Sequence, residues 1–273
     1  MWVNYRHSLE KNNMLGKIIN LLEVLKWFRN ADANSYLIYQ PGKVGSTAVE
    51  NALKKADKKT FHAHQLYSSQ IDILPLSALS KLKNLSRMIY VFFTNRAFCK
   101  SQTSVIVIVR NPVDHIRSLT FHHLDKVLYL YFQRHKDTRK HQSFTQMLRP
   151  IYREIIDVDY ASHWLEQEFL PLTKINLKDL EGRSFPFEIT TGKKRYLFLR
   201  YEDLKASEQT LAEFCHVDGF ALEEANHSAQ KWYASLYEEA KSDQDLTEEL
   251  QKQLKQGLFA KTFYGESNDI SSV

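Results

Sequence analysis

One stretch constrains the fold of this chain more than any other, the run Ser-Val-Ile-Val-Ile-Val-Arg at Ser104–Arg110. Its uninterrupted β-branched residues predict a strand that is buried on both faces, as in a parallel sheet. The next two residues, Asn111 and Pro112, are of the types that begin a helix as its cap and its first position. A buried strand followed at once by a helix is the repeating unit of α/β proteins.

The rest of the chain alternates in the same way between short apolar runs and longer amphipathic stretches. We therefore expect an α/β fold with a mainly parallel, doubly wound sheet. No repeat or linker interrupts the 273 residues, so a single domain is predicted over 1–273, with a helical extension at 1–30. Further strands are predicted at Ser35–Gln40, Lys59–Leu66 (a strand or the exit of one) and Tyr196–Arg200. Helices are predicted at Val44–Lys54, Leu76–Phe93 (whose end has a strand as its alternative), over most of Ser143–Phe169, from about Ser207, and over 220–258.

The helical extension has two interpretations. Apolar residues recur at helical spacing over Met14–Phe28, so the helix either packs on the domain or lies on a membrane surface as a peripheral contact. No apolar run approaches the ~20 residues of a membrane span, and the polar segment 10–13 interrupts any secretory signal. The two cysteines, Cys99 and Cys215, form no Cys-x-x-Cys pair. We expect a cytoplasmic protein, with membrane-peripheral attachment as the alternative.

A phosphate-binding loop is predicted where the first strand meets the next helix, because ligands of doubly wound sheets bind beyond the carboxyl ends of strands. The sequence Pro41–Thr47 reads Pro-Gly-Lys-Val-Gly-Ser-Thr. Its glycines let the main chain approach an anion, which the first N–H groups of the helix can bind. The loop is P-loop-like only, because the nucleotide-kinase pattern places its lysine after the last glycine. The predicted contacts are Lys43, Val44, Gly45, Ser46 and Thr47; the alternative is a plain turn.

A second anion site is predicted at the end of the buried strand. Arg110 lies where that strand stops, and an arginine there is unusual without an anion to meet. Ser118 follows about two turns along the next helix. The alternative is an ion pair between Arg110 and Asp114, which together with Asn111 also resembles a capping box. The net charge of +5 fits an anionic ligand, whereas no zinc-finger, helix-turn-helix or RNA-binding signature predicts a nucleic-acid partner.

Together these motifs resemble the sulfotransferases that use 3′-phosphoadenosine 5′-phosphosulfate (PAPS). Pro41–Thr47 resembles their 5′-phosphosulfate loop, and Arg110 with Ser118 resembles their 3′-phosphate pair. Leu199–Leu204, which reads Leu-Arg-Tyr-Glu-Asp-Leu, resembles the strand end that follows in that family. The resemblance implies a sulfotransferase-like fold, PAPS as donor, no metal, and contact between Tyr201 and the adenine.

A narrower resemblance is to the capsular polysaccharide synthesis proteins, a sulfotransferase-like family whose signature is Asn-Lys-Trp-Tyr-Ser. The matching segment here is Gln-Lys-Trp-Tyr-Ala at 230–234, so its two end residues differ. Trp164–Phe169 and Phe185–Phe187 also resemble that family. We interpret Trp232 and Tyr233 as an aromatic helix face that packs in the core, rather than as ligand contacts.

Two histidines follow the phosphate-loop helix. Alternation along the strand that ends at Phe61–Gln65 places His62 and His64 on one face. A metal would need a third ligand, and none lies nearby in sequence. The pair resembles the His-x-His of carbohydrate 2-O-sulfotransferases, which implies a histidine base, and an unperturbed pKa of ~6.5 suits that role. We favour His64 because it lies nearer the carboxyl end of the strand, with His62 as the alternative. A further alternative is that both histidines are ordinary polar residues lining a loop.

The sequence therefore predicts in-line transfer of a sulfuryl group from PAPS to a hydroxyl of a saccharide or polysaccharide, with Lys43 stabilising the departing phosphate. The basic stretch 122–141 is interpreted as a solvated face, with guidance of an anionic acceptor as the alternative. Lys261–Gly265 is a candidate lid. Two other functions stay open: an ATP-dependent small-molecule kinase, for which Asp203 would be the Mg²⁺ carboxylate, and a non-catalytic glycan-binding protein.

Overall fold

A computed structural model describes residues 14–67, 73–74, 81–135, 143–223 and 230–265. Its centre is a five-stranded sheet in the order β2-β1-β3-β5-β4. Every neighbouring pair is parallel except β4 with β5, which is antiparallel. This confirms the predicted α/β class and the mainly parallel sheet, and it adds an edge strand that we did not predict. The strands are β1 (Ser35–Tyr39), β2 (Lys59–Ala63), β3 (Ser104–Val109), β4 (Phe187–Thr191) and β5 (Lys194–Arg200).

Helices occupy most of the remaining described chain. They are α1 (Met14–Arg29), α2 (Ser46–Lys55), α3 (Lys81–Lys100), α4 (Pro112–His122), α5 (Leu124–Arg134), α6 (Phe144–Glu154), α7 (Tyr160–Trp164), a π-helix (Leu165–Phe169), α8 (Leu170–Thr173), a 3₁₀ helix (Leu177–Asp179), α9 (Glu208–Cys215), α10 (Ala234–Ser242), α11 (Gln244–Leu254) and α12 (Leu258–Tyr264). Helix α3 does not end in a strand, because Val91, Thr94 and Phe98 recur at helical spacing as its buried face. The first part of the predicted Leu76–Phe93 helix lies outside the described residues.

The sheet is covered on both faces, which is compatible with a doubly wound fold. Alternate residues of each strand point to opposite faces. Tyr39, Val107 and Phe198 pack in one cluster with α1, α3, the π-helix and α12, whereas Ile38 and Ile108 pack in another with α2 and α9. All five residues Val105–Val109 are fully buried, as the β-branched run predicted. A third cluster joins α4, α5, α6, α10 and α11 beside the sheet.

Helix α1 packs on the domain through its second half. Val24 and Phe28 are buried in the core, and the Phe28 ring lies 5.5 Å from that of Phe61 on β2. The exposed side chains of Ile19 and Leu22 lie nearer its start. Residues 1–13 of the predicted extension lie outside the described residues, and peripheral membrane contact stays a prediction. None of the helices described above combines the length and the apolar character that crossing a bilayer would require.

Helix α4 begins as predicted, but its first turn differs in detail. The Asn111 side chain accepts a hydrogen bond from the N–H of Val113 at 3.0 Å, and Pro112 occupies the first turn. Asp114 does not form a capping box. Its carboxylate pairs instead with Arg117 at 2.9 Å, three residues along the same helix. The alternative partner that we considered for Arg110 is therefore engaged by another arginine.

The segment Lys261–Gly265 does not form the lid that we considered. It is the end of α12, and Phe263 and Tyr264 are buried in the core against the sheet. Arg200 at the end of β5 donates a hydrogen bond to the carbonyl of Phe263 at 2.8 Å, and the Tyr264 hydroxyl donates to Glu202 at 3.1 Å. These contacts fix α12 to the strand end rather than leaving it over a ligand site.

Candidate functional site

The loop between β1 and α2 has a left-handed backbone at three positions. Gly42 has φ of 102°, Lys43 of 56° and Gly45 of 75°. Only glycine takes the first and last conformations at low cost. Gly45 has a second constraint, since a Cβ atom there would come within 2.7 Å of the Tyr201 ring. The two glycines predicted to shape this loop are thus required by backbone conformation and, at Gly45, by close packing.

Two side chains from neighbouring elements hold the carbonyl groups of this loop. His115 on α4 lies 2.8 Å from the carbonyl of Gly42 through its Nε2 atom, and Arg110 donates to the carbonyl of Lys43 at 2.9 Å. Burial lowers the pKa of His115 to about 3, so the ring is neutral and its Nε2 carries the donated hydrogen. With these carbonyls held, the N–H groups of Gly45, Ser46 and Thr47 have no acceptor among the described residues. They form the free amino end of α2.

Gln40, the fully buried residue that follows β1, connects the loop to the two histidines. Its Oε1 atom accepts from the N–H of Gly42, so its Nε2 atom is the donor on the other side. That atom lies 3.1 Å from Ser46 Oγ and 2.6 Å from His62 Nε2. His62 Nδ1 lies 3.3 Å from a carboxylate oxygen of Glu50 on α2. Both ring nitrogens of His62 are therefore engaged. We call these residues and His64 the Gln40 network.

His64 is held differently, because only one of its ring nitrogens is engaged. Its Nδ1 atom lies 3.0 Å from the main-chain oxygen of Gln40. A carbonyl oxygen can only accept, so Nδ1 carries the hydrogen and Nε2 carries the lone pair. The contact of 3.1 Å between Nδ1 and the Gln40 amide nitrogen then joins two donors and is not a hydrogen bond. Nε2 has no hydrogen-bond partner within the described part of the chain.

The electrostatic surroundings keep His64 neutral. Its pKa is lowered from 6.5, first by desolvation, while the hydrogen bond with Gln40 acts in the opposite direction. The pKa of His62 is also lowered, by burial and by His64, against the opposing effect of Glu50. Neutral imidazole is the form that accepts a proton. The network therefore holds one histidine with a free, basic nitrogen at the surface.

The π-helix fixes the segment that carries His64. Trp164, just before it, donates to the main-chain oxygen of His64 at 2.8 Å. Glu168 is completely buried and accepts hydrogen bonds from the Tyr39 hydroxyl at 2.5 Å, from the N–H of Tyr67 at 2.7 Å and from the N–H of Leu66. A single turn of π-helix often occurs at functional sites. Sequence reasoning noticed this segment only as a resemblance and did not foresee its contacts.

Positive charge collects on the other side of the loop. The pKa of Lys43 is lowered by burial and then by Lys231 and Arg110. The pKa of His122, at the end of α4, is lowered to about 4 by desolvation and then by Lys43, His123, Lys231 and Lys126. No carboxylate pairs with any of these three lysines within the described ranges. We call Lys43, Arg110, Lys126 and Lys231, with His122, the cation cluster.

Arg110 and Tyr201 form one unit beside the loop. The guanidinium group lies 4.4 Å from the centre of the Tyr201 ring, whose edge packs against Gly45. The Nε atom of Arg110 is buried without a hydrogen-bond partner. Ser118 is partly exposed on α4, one turn before His122, and makes no hydrogen bond with another described side chain. The side chain of Val44 is buried in the core, so only its main chain is free to meet a ligand.

The segment that resembles the polysaccharide synthesis signature divides its two aromatic residues between core and surface. Tyr233 packs on Phe121 of α4 with ring centres 5.6 Å apart. Trp232 is 70% exposed, so our interpretation of it as a core residue was wrong. Two adjacent residues at the start of a helix point in different directions, and only one can face the core. Lys231 beside it is exposed as well.

No three His, Cys, Asp or Glu side chains of the described residues come together as a metal site would require. Of the basic stretch 122–141, residues 136–141 lie outside the described residues.

Comparisons of the chain with protein-family models, with curated proteins and with solved structures found no match.

Proposed function

We propose that this protein is a sulfotransferase that moves a sulfuryl group from PAPS to a hydroxyl group, with a saccharide as the acceptor. The observation that carries the proposal is the position of His64. Its unprotonated Nε2 atom has no hydrogen-bond partner among the described residues, while its Nδ1 atom is held by the same residue, Gln40, that binds the Gly42 N–H of the loop. A base oriented by a second group and linked to an anion-binding loop is an arrangement suited to group transfer onto a hydroxyl.

The loop and the cation cluster support PAPS as the proposed donor. The 5′-phosphosulfate would meet the free N–H groups at the start of α2 and the ammonium group of Lys43. The 3′-phosphate would meet Arg110 and Ser118, as the family resemblance implies. The pKa of Lys43 is lowered by burial and then by Lys231 and Arg110, so an anion bound among these groups would stabilise the charged form of Lys43.

The reaction balances without a redox partner or a further reactant. The acceptor oxygen forms a bond to the sulfur as the bond between the sulfur and the bridging phosphate oxygen breaks. The hydroxyl proton passes to Nε2 of His64, and the nucleotide leaves as 3′,5′-bisphosphate. Negative charge grows on the bridging oxygen during this step, so an ammonium group at Lys43 would stabilise the transition state more than the bound donor.

The proposal is tested first by nucleotide binding and then by turnover. Thermal shifts should be larger with PAPS and with adenosine 3′,5′-bisphosphate than with ATP and Mg²⁺. Release of the bisphosphate should then rise when saccharides are added. A larger shift with ATP and Mg²⁺, together with phosphoryl transfer, would identify a kinase instead. Glycan binding without any nucleotide shift or turnover would identify a non-catalytic glycan-binding protein.

A further inference from the structure

The exposed indole of Trp232 lies next to the cation cluster. Tyr233 is seated on Phe121, the residue that precedes His122, and the Trp232 ring lies 5.5 Å from that of Tyr233. This packing holds the turn that precedes α10 against the end of α4. Lys231 is therefore close to His122 and Lys43, as their electrostatic interactions also indicate.

The cation cluster holds more positive charges than the proposed donor contacts use. Those contacts are the loop N–H groups, Lys43, Arg110 and Ser118. Lys231 and Lys126 remain as cations. Lys126 lies in the first turn of α5, four residues after His122, whose imidazole is neutral near pH 7 because its pKa is lowered to about 4. Among the described residues neither lysine has an ion-pair partner. Uncompensated like charges next to a binding loop favour a second anion.

We propose that Lys231, His122 and Trp232 form the acceptor subsite, and that the acceptor is an acidic saccharide. Its anionic group binds Lys231 and the imidazole of His122, and one face of its sugar ring lies on the indole of Trp232. An indole that is mostly exposed provides a flat apolar surface, and the C–H face of a sugar ring matches that surface. The assignment rests on the proposed transferase function.

The test measures binding of two ligands to one set of variants. Lys231→Ala, Lys231→Arg and Trp232→Ala are compared with Lys193→Ala. That control removes an equal charge from the turn before β5, at the opposite end of the parallel strands from the loop. Each protein, with and without the 3′,5′-bisphosphate, is titrated with a uronic-acid oligosaccharide and with its carboxyl-reduced neutral form. Bisphosphate affinity is measured separately.

The unmodified protein should bind the acidic oligosaccharide at least about tenfold more tightly than the neutral one, the size expected from one charge-assisted contact. Lys231→Ala should remove that preference and Lys231→Arg should keep most of it. Trp232→Ala should weaken both saccharides, while bisphosphate affinity stays within about twofold throughout. Equal affinity for the two saccharides would overturn the proposal, as would loss of bisphosphate affinity in Lys231→Ala. Failure of the unmodified protein to bind bisphosphate would instead reject the transferase function, whatever the saccharide result.

Discussion

The two sides of the loop after β1 differ in how completely their polar and charged groups are paired. On the β2 side, the Gln40 network pairs nearly every donor with an acceptor, and among the described residues it leaves one nitrogen, Nε2 of His64, without a partner. On the α4 side, the cation cluster gathers like charges and leaves them without carboxylate partners in the described chain. The hydrogen bonds on the β2 side are formed without a ligand, whereas the positive charges on the α4 side would be compensated only when an anion binds.

This contrast separates two tasks that a transferase must perform. Satisfied hydrogen bonds fix a tautomer and an orientation, which a general base requires. Uncompensated charge supplies affinity for anions, and repulsion among the cations is relieved on binding. Variants on the network side should therefore change turnover or stability. On the cluster side, variants of Arg110 should change nucleotide affinity and variants of Lys231 acceptor affinity, whereas Lys43, which faces the bridging oxygen, should affect turnover.

The largest expected effect is at His64. His64→Ala should lower turnover by about 10²–10⁴-fold and leave bisphosphate affinity nearly unchanged, because the base acts on the acceptor proton. For the unmodified protein, kcat/KM should fall on the acidic side with a midpoint below pH 6.5, since the pKa of His64 is lowered from that value and only neutral imidazole is active. This acidic limb should be absent in the variant. Steady-state kinetics across pH provide the measurement.

His62→Ala is the matched comparison for this experiment. It removes the neighbouring ring, whose two nitrogens already contact Gln40 and Glu50. We expect a smaller loss of turnover and a retained acidic limb. A folded His64→Ala protein with near-normal turnover, or a selective loss in His62→Ala, would move the base to the other histidine.

An intermediate effect is expected at Arg110, which belongs to the cluster but also holds the carbonyl of Lys43. The unmodified protein should prefer adenosine 3′,5′-bisphosphate to 5′-AMP, and Arg110→Ala should erase most of that preference. A charge-assisted hydrogen bond contributes ~1.5–3 kcal/mol, or about 10- to 100-fold. The ratio of the two affinities is the measurement, since damage to the loop alone would weaken both nucleotides equally. An unchanged ratio would exclude Arg110 from the 3′-phosphate site.

The smallest expected effect is a change in acid stability at His115. Its pKa is about 3 in the folded protein and near 6.5 when the chain is unfolded, so between these values only the unfolded state binds the proton. The free energy of unfolding should therefore fall as the pH drops from 6.5 towards 3, by at most about 1.4 kcal/mol per pH unit from this residue. His115→Gln keeps a donor for Gly42 without this proton, so its stability should decline less steeply. Urea unfolding at pH 7 and pH 5 gives the free energy of unfolding of the unmodified protein and of His115→Gln. An equal fall in both proteins would contradict the role of His115 in acid stability.

The local sequence pattern predicted the structure correctly wherever residues close together in sequence determine it. The β-branched run at Ser104–Val109 produced a buried strand, and Asn111 and Pro112 began the next helix, because both effects act over a few residues. The two glycines of the loop were also foreseeable, since their backbone conformations exclude other residues at low cost. Strand β4 was missed because an edge strand pairs on one side only and has a weaker apolar pattern.

The candidate site depended on contacts between distant parts of the chain. The sequence by itself determined the α/β class, four of the five strands and their order along the chain, and the placement of Lys43, His62, His64 and Arg110 at or just beyond strand ends. Only the tertiary structure decided that Gln40 joins the loop to the histidines, that His62 is engaged while His64 keeps a free nitrogen, and that Lys231 lies near Lys43, 188 positions earlier in the sequence. The reason is physical. Periodicity reports which face of an element is buried, whereas hydrogen-bond partners and charge neighbours are set by how elements pack against one another.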